Sequence, residues 1–202
     1  MAQQIIIFVG PDRCGKTEIS QALSHILNIP RFKASSEHGS FLNKQDLFVN
    51  QLRYADTRMV DFLLQTHHSV IYDRAFPCEK VYSEFYGRQT DLSVLEHVDN
   101  EMAYMGAKII VCHRSSYENV IDDLDPKLKG ENLQKIENGY RDFAKWSKCE
   151  TLFLNVDDQN LVREIGDILD FLGIKSPTYD SCMDEAREYD AMLRSGAAVC
   201  CV

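Results

Sequence analysis

Apolar positions along this chain fall into two rhythms. Residues 4–9 are β-branched or aromatic almost without a break, which suits a strand buried on both faces of a parallel sheet. They run directly into a glycine-bounded turn and then a helical pattern. Short apolar runs return at 69–72, 108–112 and 151–156, separated by segments with the 3.6-residue period of amphipathic helices, and residues 31–35 offer a weaker strand. Helices are expected over 92–105, 117–124, 133–146 and 161–172, and a long amphipathic segment covers 44–64. A proline- and glycine-bounded break at 125–130 reads as a mobile lid. The alternation predicts an α/β fold, a five-stranded parallel sheet flanked by helices. After Gly173 the pattern stops, and Ser176-Pro177 opens a polar tail in which Ser181 with Asp184 could cap one short helix. The domain is therefore set at 1–175 and the tail at 176–202.

Composition adds limits. The 202 residues suffice for one well-cored domain, and a hydrophobic content of 45% is that of a globular chain. Thirty-one acidic against twenty-two basic residues give a net charge of -9, which repels a phosphate backbone unless the basic groups gather in one cleft. A dedicated duplex-DNA binder is disfavoured. The seven cysteines lack metal-ligand spacing, and Cys14 sits where a disulfide would obstruct a phosphate site, so they read as reduced thiols in a cytoplasmic protein. No apolar stretch reaches the ~20 residues that a bilayer requires, so no membrane partner is expected. The terminal Cys200-Cys201 pair is not a prenylation box, since Val199 stands four from the end.

The chemistry concentrates in Gly10-Pro11-Asp12-Arg13-Cys14-Gly15-Lys16-Thr17, which matches GxxxxGK[ST] after a buried strand and at a helix start. Glycines let backbone N–H groups turn inward around a β-phosphate; Lys16 meets the β- and γ-phosphate charge, and Thr17 meets magnesium. A P-loop NTPase fold follows. Asp73-Arg74 ends the third predicted strand, where strand C-termini gather around phosphates in open α/β sheets. There Asp73 suits the hydration shell of Mg2+ and Arg74 suits an anionic group.

With these residues the sequence resembles the thymidylate kinase family of P-loop nucleotide kinases, whose second signature is Asp-Arg after the third strand. The resemblance covers about residues 4 to 172. Asp12-Arg13 before Cys14-Gly15-Lys16-Thr17 is similar to the Asp-Arg-Ala-Gly-Lys-Ser/Thr loop of the eukaryotic and poxviral branch, in which the loop arginine serves the transferring phosphoryl group and the lid carries none. The break at 125–130 has lysines but no arginine, in agreement. The segment from Gln51 to Arg58 is similar to the family's Leu-Leu-Phe-Ser-Ala-Asn-Arg. In that register Tyr54 takes the place of the aromatic stacked on thymine, and Arg58 that of the arginine on the acceptor phosphate, four residues apart on one helical face.

The resemblance implies ATP and Mg2+ as cofactors and a small nucleotide as acceptor, and leaves room for a homodimer. It implies a catalytic set of Arg13, Lys16, Asp73 and Arg74, with magnesium on Thr17 and Asp73. The donor nucleotide falls to Gly10, Asp12, Cys14, Gly15, Lys16 and Thr17, and the acceptor to Asp12, Lys33, Tyr54, Arg58, Arg74 and Tyr82. Expected is transfer of the γ-phosphoryl group of ATP to a deoxynucleoside monophosphate, thymidylate first.

Two departures keep alternatives open. Where the family shows Phe-Pro-x-Arg after the second strand, this chain has Phe32-Lys33-Ala34-Ser35, with Lys33 the nearest cation. Beyond Asp73-Arg74 the family's Tyr-x-x-Ser-Gly-x-Ala-Tyr keeps only its last tyrosine, as Tyr82. A kinase acting on a hydroxyl of a deoxynucleoside or modified base would instead need a carboxylate base, for which Glu37 stands in place. An idle nucleotide-binding regulatory module is the third alternative, against which the retention of Arg13, Lys16, Thr17 and Asp73 together speaks.

Overall fold

A computed structural model describes residues 3–33, 56–118, 120 and 128–196. Its five strands are β1 (Ile5–Val9), β2 (Arg31–Lys33), β3 (Val70–Asp73), β4 (Lys108–His113) and β5 (Glu150–Asn155), in the order β2-β3-β1-β4-β5 with every pairing parallel. All five residues of β1 are buried, as a central strand covered on both faces requires. The chain moves outward from β1 to one side for β2 and β3 and to the other for β4 and β5, so the strand order reverses at the end of β1, where open α/β sheets form their ligand crevice.

Seven helices are described: α1 (Lys16–Leu27), α2 (Thr57–Thr66), α3 (Phe76–Tyr86), α4 (Leu92–Tyr104), α5 (Gly130–Trp146), α6 (Leu161–Leu172) and α7 (Thr178–Arg194). Local chemistry fixes several ends. The Asp91 and Asn160 side chains accept from the N–H of Val94 and Arg163 and cap α4 and α6, while α3 and α6 stop at Gly87 and Gly173 in the left-handed conformation. None of the described helices is long and apolar enough to cross a membrane.

The structure departs from the sequence reading in four places, the last of them the C-terminal segment described below. Helix α3 was not foreseen; its Pro77 lies in the first turn, where the missing N–H costs nothing. Of the break at 125–130, Leu128 is buried in the core and Gly130 already begins α5, while 125–127 lie outside the described residues. The helix expected over 117–124 is not formed at 117, 118 or 120, and its remaining residues lie outside the description.

Helices α3 and α5 pack closely because Gly139 has no side chain: a Cβ there would meet Val81 Cγ1 at 2.9 Å. Phe76 and Phe143 meet edge to face across the same seam, 5.9 Å between centroids. This packing holds Tyr82, on α3, in a fixed position beside the loop after β1.

The segment read as a polar tail with one short helix carries the 17-residue α7, which packs on α6 and α1. Its buried residues, Cys182, Ala186 and Tyr189, recur at four- and three-residue steps and form one narrow apolar stripe. Tyr189 is 2% exposed and its ring lies 5.3 Å from that of His25 on α1. Replacing Tyr189 by Ala should cost about 3–5 kcal/mol of unfolding free energy, the range for emptying a buried aromatic site. Urea denaturation checks this, and an unchanged midpoint would show that α7 is a detachable appendage.

Candidate active site

The loop from β1 to α1 forms because three residues take left-handed backbone. Gly10 has φ 136°, and a Cβ at that position would come within 2.2 Å of the Cys112 carbonyl oxygen on β4, so only glycine lets the chain leave β1 there. Arg13 and Gly15 follow with φ 63° and 64°. Alternating turns of this kind fold successive N–H groups into a concavity that takes anions. Arg13 at the apex is exposed, and its carbonyl accepts a hydrogen bond from Arg114 Nε at 3.0 Å. Arg114 is itself anchored, its N–H donating to Tyr117 Oη at 3.1 Å, and Tyr117 Oη lies 3.6 Å from the buried Cys14 Sγ. The outer wall of the loop is thus braced from the end of β4.

Lys16 is buried, with Nζ donating to the Pro11 carbonyl. Burial, and then the nearby Arg74, push its ammonium below the usual lysine range. A phosphate in the concavity would supply the charge that these surroundings withhold.

Two carboxylates organise the rest. The Asp73 side chain, 1% exposed at the end of β3, accepts through Oδ2 from Thr17 Oγ1 at 2.8 Å and from Arg31 Nη1 at 2.9 Å. Lys33 Nζ stands 3.6 Å from the same oxygen and donates to Thr17 Oγ1 at 3.3 Å. Asp12, within the loop, accepts from Arg74 Nη2 and from Tyr82 Oη, the latter at 2.7 Å. Burial alone would raise the Asp12 carboxyl, but Arg74, Lys16 and the Tyr82 hydroxyl overcome it and hold it below the usual range. The Arg74 guanidinium also faces the Tyr82 ring at 5.7 Å, and its backbone, at φ 72°, bends away from β3 to reach the loop.

The fold brings Gly10, Asp12, Arg13, Cys14, Gly15, Lys16, Thr17, Lys33, Asp73, Arg74 and Tyr82 to the C-terminal edge of the sheet around one loop. Arg58 is exposed in the first turn of α2, with no hydrogen bond or ion pair to the other described site residues. Tyr54 and Glu37 lie outside the described residues. Sequence reasoning missed Arg31 and Arg114. Both have a readable signal: Arg31 alternates with Lys33 on one strand face, and Arg114 directly follows β4, as Arg74 follows β3.

Thr17 and Asp73 fit a magnesium ion. Mg2+ takes one or two hard protein oxygens and otherwise keeps water and substrate phosphates, and these two oxygens stand side by side against the phosphate loop. Among the described residues no group of three or more His, Cys, Asp or Glu side chains could hold a metal on its own.

This sheet order and loop define a P-loop α/β fold, which solved structures share. The YorR protein of Bacillus subtilis, solved in complex with phosphorylated GDP, superposes with a TM-score of 0.59 at 22% identity, over 83% of this chain and 94% of that one. Thymidylate kinase from Ehrlichia chaffeensis gives 0.55 at 16% identity, over 84% and 99%. Deoxyadenosine kinase from M. mycoides, with the products dCMP and dCDP bound, gives 0.51 at 16%, over 85% and 98%. No protein-family model and no curated protein sequence matches the chain.

One further carboxylate lies near Tyr72 of β3. Asp56 precedes α2 without capping it, and burial, with the like charge of Glu79, raises its pKa to about 7. Tyr72, which burial and the Asp56 charge both push upward, keeps its hydroxyl buried with no hydrogen-bond partner. Between the ordinary carboxyl value of 3.8 and about 7 the folded chain binds the Asp56 proton more tightly than the unfolded one, so stability falls as pH rises through that window. Asp56→Asn, which cannot ionise, should therefore melt at a higher temperature than the wild type at pH 8 and show no advantage at pH 4. Thermal melts across that range check it; a difference independent of pH would show that Asp56 ionises freely.

Proposed function

We propose that this protein is a phosphotransferase that moves the γ-phosphoryl group of ATP to a deoxynucleoside monophosphate, thymidylate first among them, forming the diphosphate. The observation that carries this reading is the state of the two carboxylates at the loop. An acceptor hydroxyl must lose a proton to a base, whereas an acceptor phosphate is already an anion and calls for cations. Asp73 is taken up by Thr17, Arg31 and Lys33, and Asp12 by Arg74 and Tyr82. A carboxyl held below its usual pKa, as Asp12 is, makes a poor base. Three cations, Arg31, Lys33 and Arg74, meanwhile stand at the ends of β2 and β3, on the side away from the braced loop wall.

In this reading the loop amides and Lys16 hold the β- and γ-phosphates. Thr17 and Asp73 hold magnesium, which when bound offsets phosphate charge. Arg13, exposed at the apex, supplies the guanidinium that the equatorial oxygens of the transferring group require. Arg74 reaches the acceptor from the sheet edge, and Tyr54 and Arg58 would engage its base and phosphate from the segment ending in α2.

Substitutions separate these roles. Lys16→Ala should weaken ATP binding and abolish turnover, while Arg13→Ala should leave ATP affinity within a few-fold and lower kcat by roughly 10³, the scale of a charge-stabilising arginine. Steady-state kinetics with MgATP and a panel of deoxynucleoside monophosphates, deoxynucleosides and hydroxymethylated bases decide the acceptor. Phosphorylation of a nucleoside or hydroxymethylated base with every monophosphate refused would replace the acceptor named here. No turnover with any of them would leave a nucleotide-binding module.

A further inference from the structure

Edge strand β2 is three residues long, and its alternation divides its side chains between two faces. Phe32 lies edge-on to Tyr72, its partner in register on β3, with ring centroids 5.9 Å apart. Arg31 and Lys33 take the other face, and Lys33 is paired in register with Asp73 itself. Both cations bear on Asp73 Oδ2, the same atom that accepts from Thr17. An edge strand has thus placed two positive charges on the two side chains that fit a magnesium ion. Lys33 even donates to Thr17 Oγ1, the other oxygen of that pair.

These contacts cannot all persist when Asp73 and Thr17 turn to a metal ion. Like charges at such separations repel, and Oδ2, which already accepts from Thr17 and Arg31 with Lys33 at 3.6 Å, cannot take a metal ion as well without giving up a partner. Arg31 is 22% exposed and Lys33 39%, so both side chains reach solvent, whereas that of Asp73, at 1%, does not. The cations move and the carboxylate stays.

We propose that Asp73 is an exchange point: Arg31 and Lys33 neutralise it in the ion-paired arrangement and, when it turns to metal-bound nucleotide, pass to the phosphate of the acceptor as its anion-binding pair. This rests on the monophosphate reading above. It adds Arg31 to the acceptor site, and it makes binding of metal nucleotide and acceptor mutually reinforcing, since a coupling free energy acts equally in both directions. An acceptor phosphate that draws the two cations away opens Asp73 to the metal, just as the metal frees the cations.

Calorimetric titration of the full chain with dTMP and the other 2′-deoxynucleoside 5′-monophosphates tests this without turnover. Three conditions are compared: EDTA alone, EDTA with the non-hydrolysable analogue AMP-PNP, and Mg2+ with AMP-PNP. The monophosphate that binds should do so about 10- to 100-fold more tightly in the third condition than in the second, within the usual range of coupling between sites. In the Arg31→Ala, Lys33→Ala double variant that gain should largely vanish, and AMP-PNP should reach half-saturation at a lower Mg2+ concentration, because no side-chain cation competes for Asp73. The single variants Arg31→Gln and Lys33→Gln, each retaining one cation, should keep an intermediate gain. A gain that survives intact in these variants would mean that magnesium acts only by relieving repulsion between the two phosphates, and the exchange would be wrong. Equal affinity in all three conditions would overturn the exchange and leave the monophosphate reading standing. Failure of every monophosphate to bind under any condition would sink both.

Discussion

A carboxylate with almost no exposure at the end of an inner strand has to be satisfied by its neighbours, since leaving it unpaired would cost several kcal/mol. Asp73 is that group, and the arrangement of this end of the sheet follows from it. Thr17 reaches it from the first turn of α1, which fixes where that helix begins relative to β3. Arg31 reaches it from β2, and the pairing of Lys33 with Asp73 in register keeps the edge strand from slipping. The site is therefore assembled by the same contacts that stabilise the sheet edge. A metal ion entering at Thr17 and Asp73 would exchange one set of partners for another instead of filling an unsatisfied hole.

Asp12 plays the matching part on the other side of Lys16. By accepting from Arg74 and Tyr82 it ties the loop to the end of β3 and to α3. Left-handed backbone at a non-glycine residue costs of order 1–3 kcal/mol, and the chain accepts it at both Arg13 and Arg74. In each case a charged contact offsets the cost: Arg114 on the Arg13 carbonyl, and Asp12 on the Arg74 guanidinium. Asn28, His67 and Gln159 share this backbone elsewhere, the first two at helix C-caps; at Arg13 and Arg74 it presents a side chain at a sharp angle from a loop or a strand end.

How much of this could be read beforehand depended on what kind of interaction carried each feature. The sheet, the loop and the Asp73-Arg74 pair were legible because they are written in apolar runs and fixed spacing, and four of the five strands match their apolar runs to within a residue or two. Helix α3 went unread; it carries Pro77 in its first turn, where proline is tolerated, although proline inside a helix breaks it. The length of helix α7 was hidden by its composition: Cys182, Ala186 and Tyr189 are few beside the acidic and basic residues between them, yet they suffice to seat the helix on α1 and α6. Arg31 was missed for a different reason. Its meaning lies in a neighbour 42 positions away that only strand register brings beside it.

On the proposed reading, the donor and acceptor sides also differ in how tightly geometry fixes their parts. Phosphates in a loop are held by backbone N–H groups, by glycines that nothing can replace at close approach, and by a lysine buried at one fixed point; Gly10 against the Cys112 carbonyl leaves no latitude. A match there must be nearly complete or absent. Cations for a second anion need only reach it, and long side chains reach from several backbone positions. Here an edge strand offers Arg31 and Lys33 at the end of the sheet where the Phe-Pro-x-Arg pattern is missing. The departure from that pattern therefore moves positive charge along the chain without removing it from the crevice, and in a protein whose net charge is -9 such a local group of cations favours an anion at this end of the sheet.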